Sequence, residues 1–123
     1  MEIKNEYDLN NKLTHNTFTL LTRAFANTDI KIFKGPFVTV STITASDQRA
    51  ANIYRNYQPC MEAMEGAAAA YLSCFYAIPL IEIRSASNFV GNRDKNQWNL
   101  PLAFKNAAAA TKACIELIQP PRL

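Results

Sequence analysis

The segment CMEAMEGAAAAYLSCFYAIPLIEIRSASN, residues 60–88, limits the possible folds more than any other part of the chain. CMEAME has the pattern of a short strand, and Gly66 with the four alanines after it favours a helix that lies close against a sheet. After a proline, LIEIRSAS (80–87) alternates polar and aliphatic side chains, as a half-buried strand does. A strand, a helix and a second strand in this order predict a parallel pairing in an α/β domain.

The rest of the chain continues this alternation of helices and strands. Turn and capping residues separate the segments, and no internal repeat is present. The further predicted elements are a helix within 13–27, strand segments at 30–33 and 35–44, a helix capped by Ser46 and ended by Pro59, a turn at Gly91-Asn92, and a helix over 100–119 that Pro120 ends. We therefore expect the α/β class, with a mixed or parallel sheet flanked by helices in three layers. Two or three strands make a thin sheet.

Charge and composition exclude several classes of function. The net charge of +3 comes from 13 basic and 10 acidic residues that form no runs, which argues against nucleic acid and anionic membrane surfaces as partners. The polar N-terminus does not resemble a signal peptide, and no apolar stretch approaches the roughly 18 residues that cross a bilayer. These features predict a cytoplasmic protein.

The cysteines and the histidine do not predict a metal or redox site. Cys60, Cys74 and Cys114 are an odd set without metal-binding spacing, and we expect them to be reduced thiols. His15 is the single histidine, so neither a histidine metal site nor a Ser-His-Asp triad is predicted. No metal or organic cofactor is implied.

Two polar positions follow the two strands of the opening segment. Glu65 lies where the first strand passes into its helix, and Ser87-Asn88 end the second strand. Ligands of open α/β sheets bind at the carboxyl ends of strands, so Glu65 and Asn88 are expected to converge on one crevice. A carboxylate there can accept hydrogen bonds from sugar hydroxyls. The alternative is that Glu65 only caps its helix.

Three neighbouring side chains have more than one interpretation. Glu62 is expected at the surface or behind the site, and Met64 is either a core residue or covers the apolar face of a sugar. Glu82 and Arg84 share one face of a predicted strand, so a structural ion pair between them is the favoured interpretation.

MEAMEGAAAAY followed by IPLIEIRSASN resembles the nucleoside phosphorylase and nucleosidase superfamily, in which a Met-Glu pair opens a helix and an Arg-x-x-Ser-Asp/Asn strand end faces the purine. GPFVTVSTIT, SNFVGNRDKNQWN and LPLAFKNA are most similar to the futalosine hydrolase family. The resemblance covers about residues 35–118. It implies a purine nucleoside substrate, a homo-oligomer and the three-layer fold of the superfamily.

The resemblance also implies roles for individual residues. Glu65 would bind the 2′- and 3′-hydroxyls of ribose, with Met64 beside the sugar. Asn88 would hydrogen-bond the N7 edge of the purine as the catalytic residue, supported by Ser87. The loop around Thr44 would flank the base. Arg93 and Asp94 match an Arg-Asp pair that would order the loop over the site, and Trp98 would pack.

The side chain of Asn88 narrows the choice of base. An amide cannot act as a general acid, but it can donate to N7 and interact with O6. This suits a 6-oxopurine such as hypoxanthine better than adenine. Together with this amide, the resemblance implies purine-nucleoside N-ribosyl hydrolysis of the futalosine hydrolase type, which releases hypoxanthine from futalosine in menaquinone biosynthesis.

The chain departs from the pattern of the family in one respect. The carboxylate that activates water follows the first strand of the family's fold and has no counterpart here, so residues 1–123 are expected to be one partial domain, the C-terminal half. The alternatives are a methylthioadenosine or adenosylhomocysteine nucleosidase, a nucleoside phosphorylase, a truncated non-catalytic binding or assembly module, and an unrelated α/β domain that shares the motif by chance.

Overall fold

The computed structural model describes residues 5–91 and 94–117. Four α-helices, two strands and a short 3₁₀ helix follow one another along these residues. They are α1 (Asn11–Ala24), β1 (Phe37–Thr39), α2 (Asp47–Tyr57), β2 (Met61–Ala63), α3 (Gly66–Tyr76), the 3₁₀ helix (Lys95–Gln97) and α4 (Leu100–Leu117).

A parallel pair of strands forms the sheet of the described residues. Phe37 of β1 lies opposite Met61 of β2, and Thr39 lies opposite Ala63. The amide of Val40 donates to the carbonyl of Ala63 at 2.9 Å, which extends the pairing by one residue. Helix α2 is the crossover between the strands, α3 packs on β1, and α1 packs on α4. The predicted α/β class, with helices that flank a parallel sheet, is confirmed.

The ends of α2 match the capping chemistry expected from the sequence. The hydroxyl of Ser46 accepts a hydrogen bond from the amide of Arg49 at 3.3 Å. At the other end, Gln58 adopts a left-handed conformation with φ of 46°, and Pro59 follows. The predicted N-cap and stop of this helix are therefore confirmed.

The predicted strands at 30–33 and 80–87 are wrong, because neither segment contains a strand. Ile32 and Ile83 instead pack against a cluster of Leu21, Ala110 and Cys114 between α1 and α4. The alternation of side chains reports which of them are buried, whereas a strand also needs a hydrogen-bonded neighbour for its backbone.

Two other predictions meet the limits of the described residues. Gly91 has a φ of +104°, which confirms turn geometry at this position. Asn92, Arg93 and residues 118–123 lie outside the described residues, so the predicted partner of Gly91 in the turn and the predicted stop of the last helix at Pro120 stay predictions.

Small side chains dominate the core. The buried apolar residues are Leu21, Val40, Ala63, Ala70, Ala103, Ala110 and Cys114. Large side chains such as Phe89 (96% exposed) and Phe104 (69% exposed) lie on the surface. Burial of alanines removes little apolar area from water, so polar contacts between segments matter more here than in a core of leucines.

Gly66 offers a test of the close packing that opens α3. A Cβ built at Gly66 would lie 2.5 Å from Oε2 of Glu82, whose Oε1 accepts from Arg84 at 2.7 Å. Alanine in place of a helical glycine normally stabilises by about 0.5–1 kcal/mol. Here we expect Gly66→Ala to lower the free energy of unfolding, measured in urea, because the Glu82 side chain must move. In a Glu82→Ala background the same substitution should stabilise, and equal effects in both backgrounds would contradict this packing.

Candidate functional site

An open cavity of about 500 Å³ lies between the start of α3, the segment 80–87 and the first turns of α4. Its polar lining comes from Glu65, Glu82, Arg84, Ser85 and Ser87. Aliphatic and aromatic side chains form the remaining wall, among them Leu80, Ile83, Ala103 and Phe104. A concave apolar site with a few convergent polar groups has the usual composition of a small-molecule site.

Arg84 joins two carboxylates in this cavity. Its Nη2 lies 2.8 Å from Oε2 of Glu65, and its Nε lies 2.7 Å from Oε1 of Glu82. The Glu82 side chain is 18% exposed, whereas that of Glu65 is 70% exposed. The predicted pair of Glu82 and Arg84 is therefore present, and the same guanidinium also orients a carboxylate that solvent and ligands can reach.

Arg84 also lowers the pKa of the Glu65 carboxyl. Hydrogen bonds from Arg84, and then from the amide of Met64, hold the pKa of Glu65 below its usual range. Glu65 therefore remains an anion, and a hydrogen-bond acceptor only, to lower pH than an ordinary glutamate does.

Glu65 does not cap α3 with its side chain, although it occupies the N-cap position. The hydroxyl of Thr39 on β1 instead accepts a hydrogen bond from the amide of Ala67 at 2.9 Å. Because β1 satisfies this amide, the carboxylate of Glu65 is free to act outside the helix. The capping role considered above is thus not what the structure shows.

Ser87 and Asn88 form a local hydrogen-bonded pair at the edge of the cavity. Ser87 Oγ donates to Asn88 Oδ1 at 2.6 Å, and Asn88 Nδ2 donates to the carbonyl of Phe89 at 2.8 Å. Ser87 lines the cavity together with Glu65, whereas Asn88 is exposed beside it. The structure thus brings Glu65 and Ser87 into one cavity, with Asn88 adjacent and outside its lining.

Thr44 and Met64 also lie outside this lining. Thr44 is only 3% exposed, and its amide donates to Oε1 of Glu62 at 3.0 Å. Its own hydroxyl is buried and has no hydrogen-bond partner among the described residues. Met64 is 50% exposed next to Glu65. The ligand contacts predicted for these two residues stay predictions.

The loop after Ser87 is fixed at its far end. The amide of Asn99 donates to the carbonyl of Ser87 at 2.8 Å, and Asp94 accepts from the amide of Asn96 at 3.0 Å to cap the 3₁₀ helix. Trp98 follows this helix and is half-buried. Arg93, predicted to order the loop with Asp94, lies outside the described residues.

The contact between Arg84 and Glu65 was missed by sequence reasoning, although a signal for it exists. Arg84 is the single basic residue between Arg55 and Arg93, a span whose carboxylates are Glu62, Glu65 and Glu82. A lone cation among three carboxylates is expected to contact more than one of them.

Metal-ligand clusters and membrane-spanning helices are both absent from the residues that the structure describes. Within 5–91 and 94–117, no three histidine, cysteine or acidic side chains are grouped so that they could hold a metal ion. None of the helices in these ranges combines the length and apolar character that crossing a bilayer requires.

The sequence of this chain matches a known protein family over most of its length. Residues 3–116 match the model of the phosphorylase superfamily. The chain belongs to this superfamily. The resemblance seen in the Met-Glu-Gly and Arg-x-x-Ser-Asn motifs is therefore confirmed.

Two curated relatives are similar over part of the chain. A futalosine hydrolase from Acidothermus cellulolyticus is 35% identical over 80 residues, which are 64% of this chain and 33% of that protein. A futalosine hydrolase from Streptomyces coelicolor is 36% identical over 80 residues, with the same shares of 64% and 33%. The matched region thus spans about a third of the length of these relatives. No solved structure gives a significant match.

The pKa of Glu65 tests the ion pair in the cavity. Replacement Arg84→Met removes the charge and the hydrogen bond that lower this pKa, so the pKa should rise toward the ordinary range. Since the folded pKa is depressed, the pair stabilises the fold at pH values above the unfolded pKa, and this contribution is lost as pH falls through the folded pKa. Carbon-detected NMR titration of the Glu65 carboxyl measures the change.

Arg49→Met provides the matched control, because Arg49 donates to the carbonyl of Thr42. This variant should leave the Glu65 titration unchanged. An identical Glu65 midpoint in the wild type and Arg84→Met would contradict the assigned ion pair.

Proposed function

We propose that this chain acts on a purine nucleoside by hydrolysis of its N-ribosidic bond, in the manner of a futalosine hydrolase. Membership of the phosphorylase superfamily and similarity to two proteins named futalosine hydrolase support the reaction class. The observation that carries the proposal is the ionised, accessible carboxylate of Glu65, which Arg84 orients at 2.8 Å in a cavity of about 500 Å³.

Glu65 has the chemistry that binding of ribose requires. Its Oε2 accepts from Arg84 and from the amide of Met64, and the side chain is 70% exposed, so a ligand can reach the carboxylate. The vicinal 2′- and 3′-hydroxyls of ribose are donors at the spacing of one carboxylate. Met64, half exposed next to Glu65, then covers the apolar face of the sugar.

Ser87 and Asn88 are assigned to the base. An amide donor at N7 stabilises the negative charge that develops on the departing purine, while the Glu65 carboxylate stabilises the oxocarbenium character of the sugar. Loss of either group is expected to cost about 2.7–4 kcal/mol of transition-state stabilisation. For Asn88, the contact with the base replaces its present bond to the carbonyl of Phe89. A 6-oxopurine fits this amide better than adenine, which favours hypoxanthine as the product.

A nucleoside-binding module without turnover is the second candidate. Both carboxylates that line the cavity, Glu65 and Glu82, are paired with Arg84, and the lowered pKa of Glu65 makes this accessible carboxylate a weak base for the activation of water. No other acidic side chain of the described residues lines this cavity. Binding without hydrolysis therefore follows if no other carboxylate reaches the anomeric carbon.

We also propose that the chain works in the cytoplasm and self-associates. Its three cysteines are free thiols, as expected in a reducing compartment.

The proposed self-association surface is on helix α3. This helix contains no charged residue, and its C-terminal part exposes Leu72, Phe75 and Tyr76 by 51%, 54% and 63%. Exposed apolar patches of this kind mark association surfaces. Sedimentation velocity should show an oligomer that Phe75→Glu dissociates, and a monomeric wild type would exclude self-association.

Release of hypoxanthine separates the two candidate functions. Purified protein is incubated with futalosine and with inosine, and adenosine and methylthioadenosine serve as substrate controls. Release from futalosine supports the hydrolase. Binding of hypoxanthine by folded protein without any release supports the binding module, and preferential cleavage of methylthioadenosine would instead favour an adenine-specific nucleosidase.

Glu65→Gln tests the role in binding ribose. The amide keeps the size of the side chain but weakens acceptance from two hydroxyls, so kcat/KM should fall about 100-fold or more. If the chain binds without turnover, the affinity for inosine should fall while that for hypoxanthine changes little. Glu116→Gln is the matched control, because Glu116 is exposed on α4 beside Lys112. Equal activity of both variants would remove Glu65 from the site.

A further inference from the structure

Thr44 lies where three separate segments of the chain meet. Its amide donates to Oε1 of Glu62 on β2 at 3.0 Å, and its carbonyl accepts from the amide of Gly91 at 3.2 Å. Thr44 itself belongs to the loop between β1 and α2 and is almost fully buried. Both contacts use the backbone of Thr44, so its position is set by Glu62 on one side and by Gly91 on the other.

The two contacts of Thr44 reach residues that lie close in sequence to the two side chains proposed to bind the ligand. Glu62 precedes Glu65, which is assigned to ribose, by three residues on the same turn from strand to helix. Gly91 follows Asn88, which is assigned to the base, by three residues. The contacts of Thr44 therefore connect the segment that contains Glu65, the proposed ribose-binding residue, with the segment that contains Asn88, the proposed base-binding residue.

The backbone conformation and the surroundings of Gly91 restrict which residue can occupy this position. Gly91 has a φ of +104°, and a Cβ at this position would overlap the carboxylate of Asp47 at the start of α2. Both the backbone conformation and the available space therefore require glycine. Glycine at this position therefore preserves the hydrogen bond of its amide to the Thr44 carbonyl, three residues after Asn88.

We propose that Glu62 is a positioning residue, which sets the separation of Glu65 and Asn88 through its hydrogen bond to the Thr44 amide. This inference rests on the proposed function, since it takes Glu65 and Asn88 as the ligand-binding side chains. Glu62 does not line the cavity, and its described hydrogen bond is the one to Thr44. Its carboxylate thus acts on the ligand through the loop and not by contact.

The test of Glu62 combines amide hydrogen exchange with ligand affinity in the full chain. Glu62→Ala should raise the exchange rate of the Thr44 amide about tenfold, the equivalent of one lost hydrogen bond. The same variant should weaken inosine, which spans both ends of the site, by about tenfold, while hypoxanthine alone weakens less than about threefold. Glu62→Gln should restore both values to near the wild type, because its amide oxygen still accepts from Thr44.

Matched variants keep the interpretation unambiguous. Glu116→Ala removes an exposed carboxylate far along α4 and should change neither exchange at Thr44 nor affinity. If Glu62→Ala does not fold, Glu62→Met keeps the length of the side chain without a strong acceptor and takes its place.

The outcomes distinguish the inference from the function on which it rests. Wild-type protein that binds no inosine contradicts the proposed function and the positioning role together. Wild-type protein that binds inosine, with unchanged Thr44 exchange or unchanged affinity in Glu62→Ala, overturns the positioning role alone. Selective loss for inosine with rescue by Glu62→Gln supports it.

Discussion

The contact of Arg84 with Glu65 and Glu82 holds together the part of the molecule on which its chemistry depends. The segment that contains Arg84 lies outside the two-stranded sheet, so backbone pairing does not fix it. One charge-assisted hydrogen bond, from Arg84 to Glu65 at 2.8 Å, binds it to the start of α3 instead, and a second, to Glu82 at 2.7 Å, holds the guanidinium within its own segment. Glu82, the less exposed carboxylate, anchors the guanidinium, and Arg84 in turn orients Glu65 toward solvent. One cation thereby serves both the fold and the candidate site.

A shallow core explains why such polar connections matter in this chain. Alanines form most of the buried apolar set, and none of the described large side chains is fully buried. The hydroxyl of Thr39 and the carboxylate of Glu62 accept hydrogen bonds from backbone amides of other segments, and Ser46 and Asn10 cap the helices that follow them. Each such hydrogen bond contributes about 0.5–1.5 kcal/mol to stability, which matters more where little apolar area is buried. Polar side chains such as Thr39 and Glu62 therefore help to hold the fold of this chain together.

Local chemistry made the helices predictable from the sequence, whereas the pairing of the strands could not be predicted in this way. The Ser46 cap and the stop at Pro59 depend on residues within one turn of the helix end, so the sequence alone predicts them. The alternation in 80–87 correctly marks Ile83 as a packed residue, but a strand requires a partner that local pattern does not specify. The same distinction applies to the site. Glu65 was found from its place between strand and helix, whereas the contacts of Arg84 with Glu65 and of Glu62 with Thr44 join residues distant in sequence.

The placement of Trp98 has a practical consequence for spectroscopy. It is the single tryptophan of the chain and is half-buried at the end of the loop that begins at Ser87. The hydrogen bond between Asn99 and Ser87 fastens this end of the loop to the residues at the cavity edge. Indole emission depends on the polarity around the ring, so the molecule contains its own fluorophore near the side of the cavity that is proposed to bind the base. Any rearrangement of that loop can be followed in unlabelled protein, in real time and at low concentration.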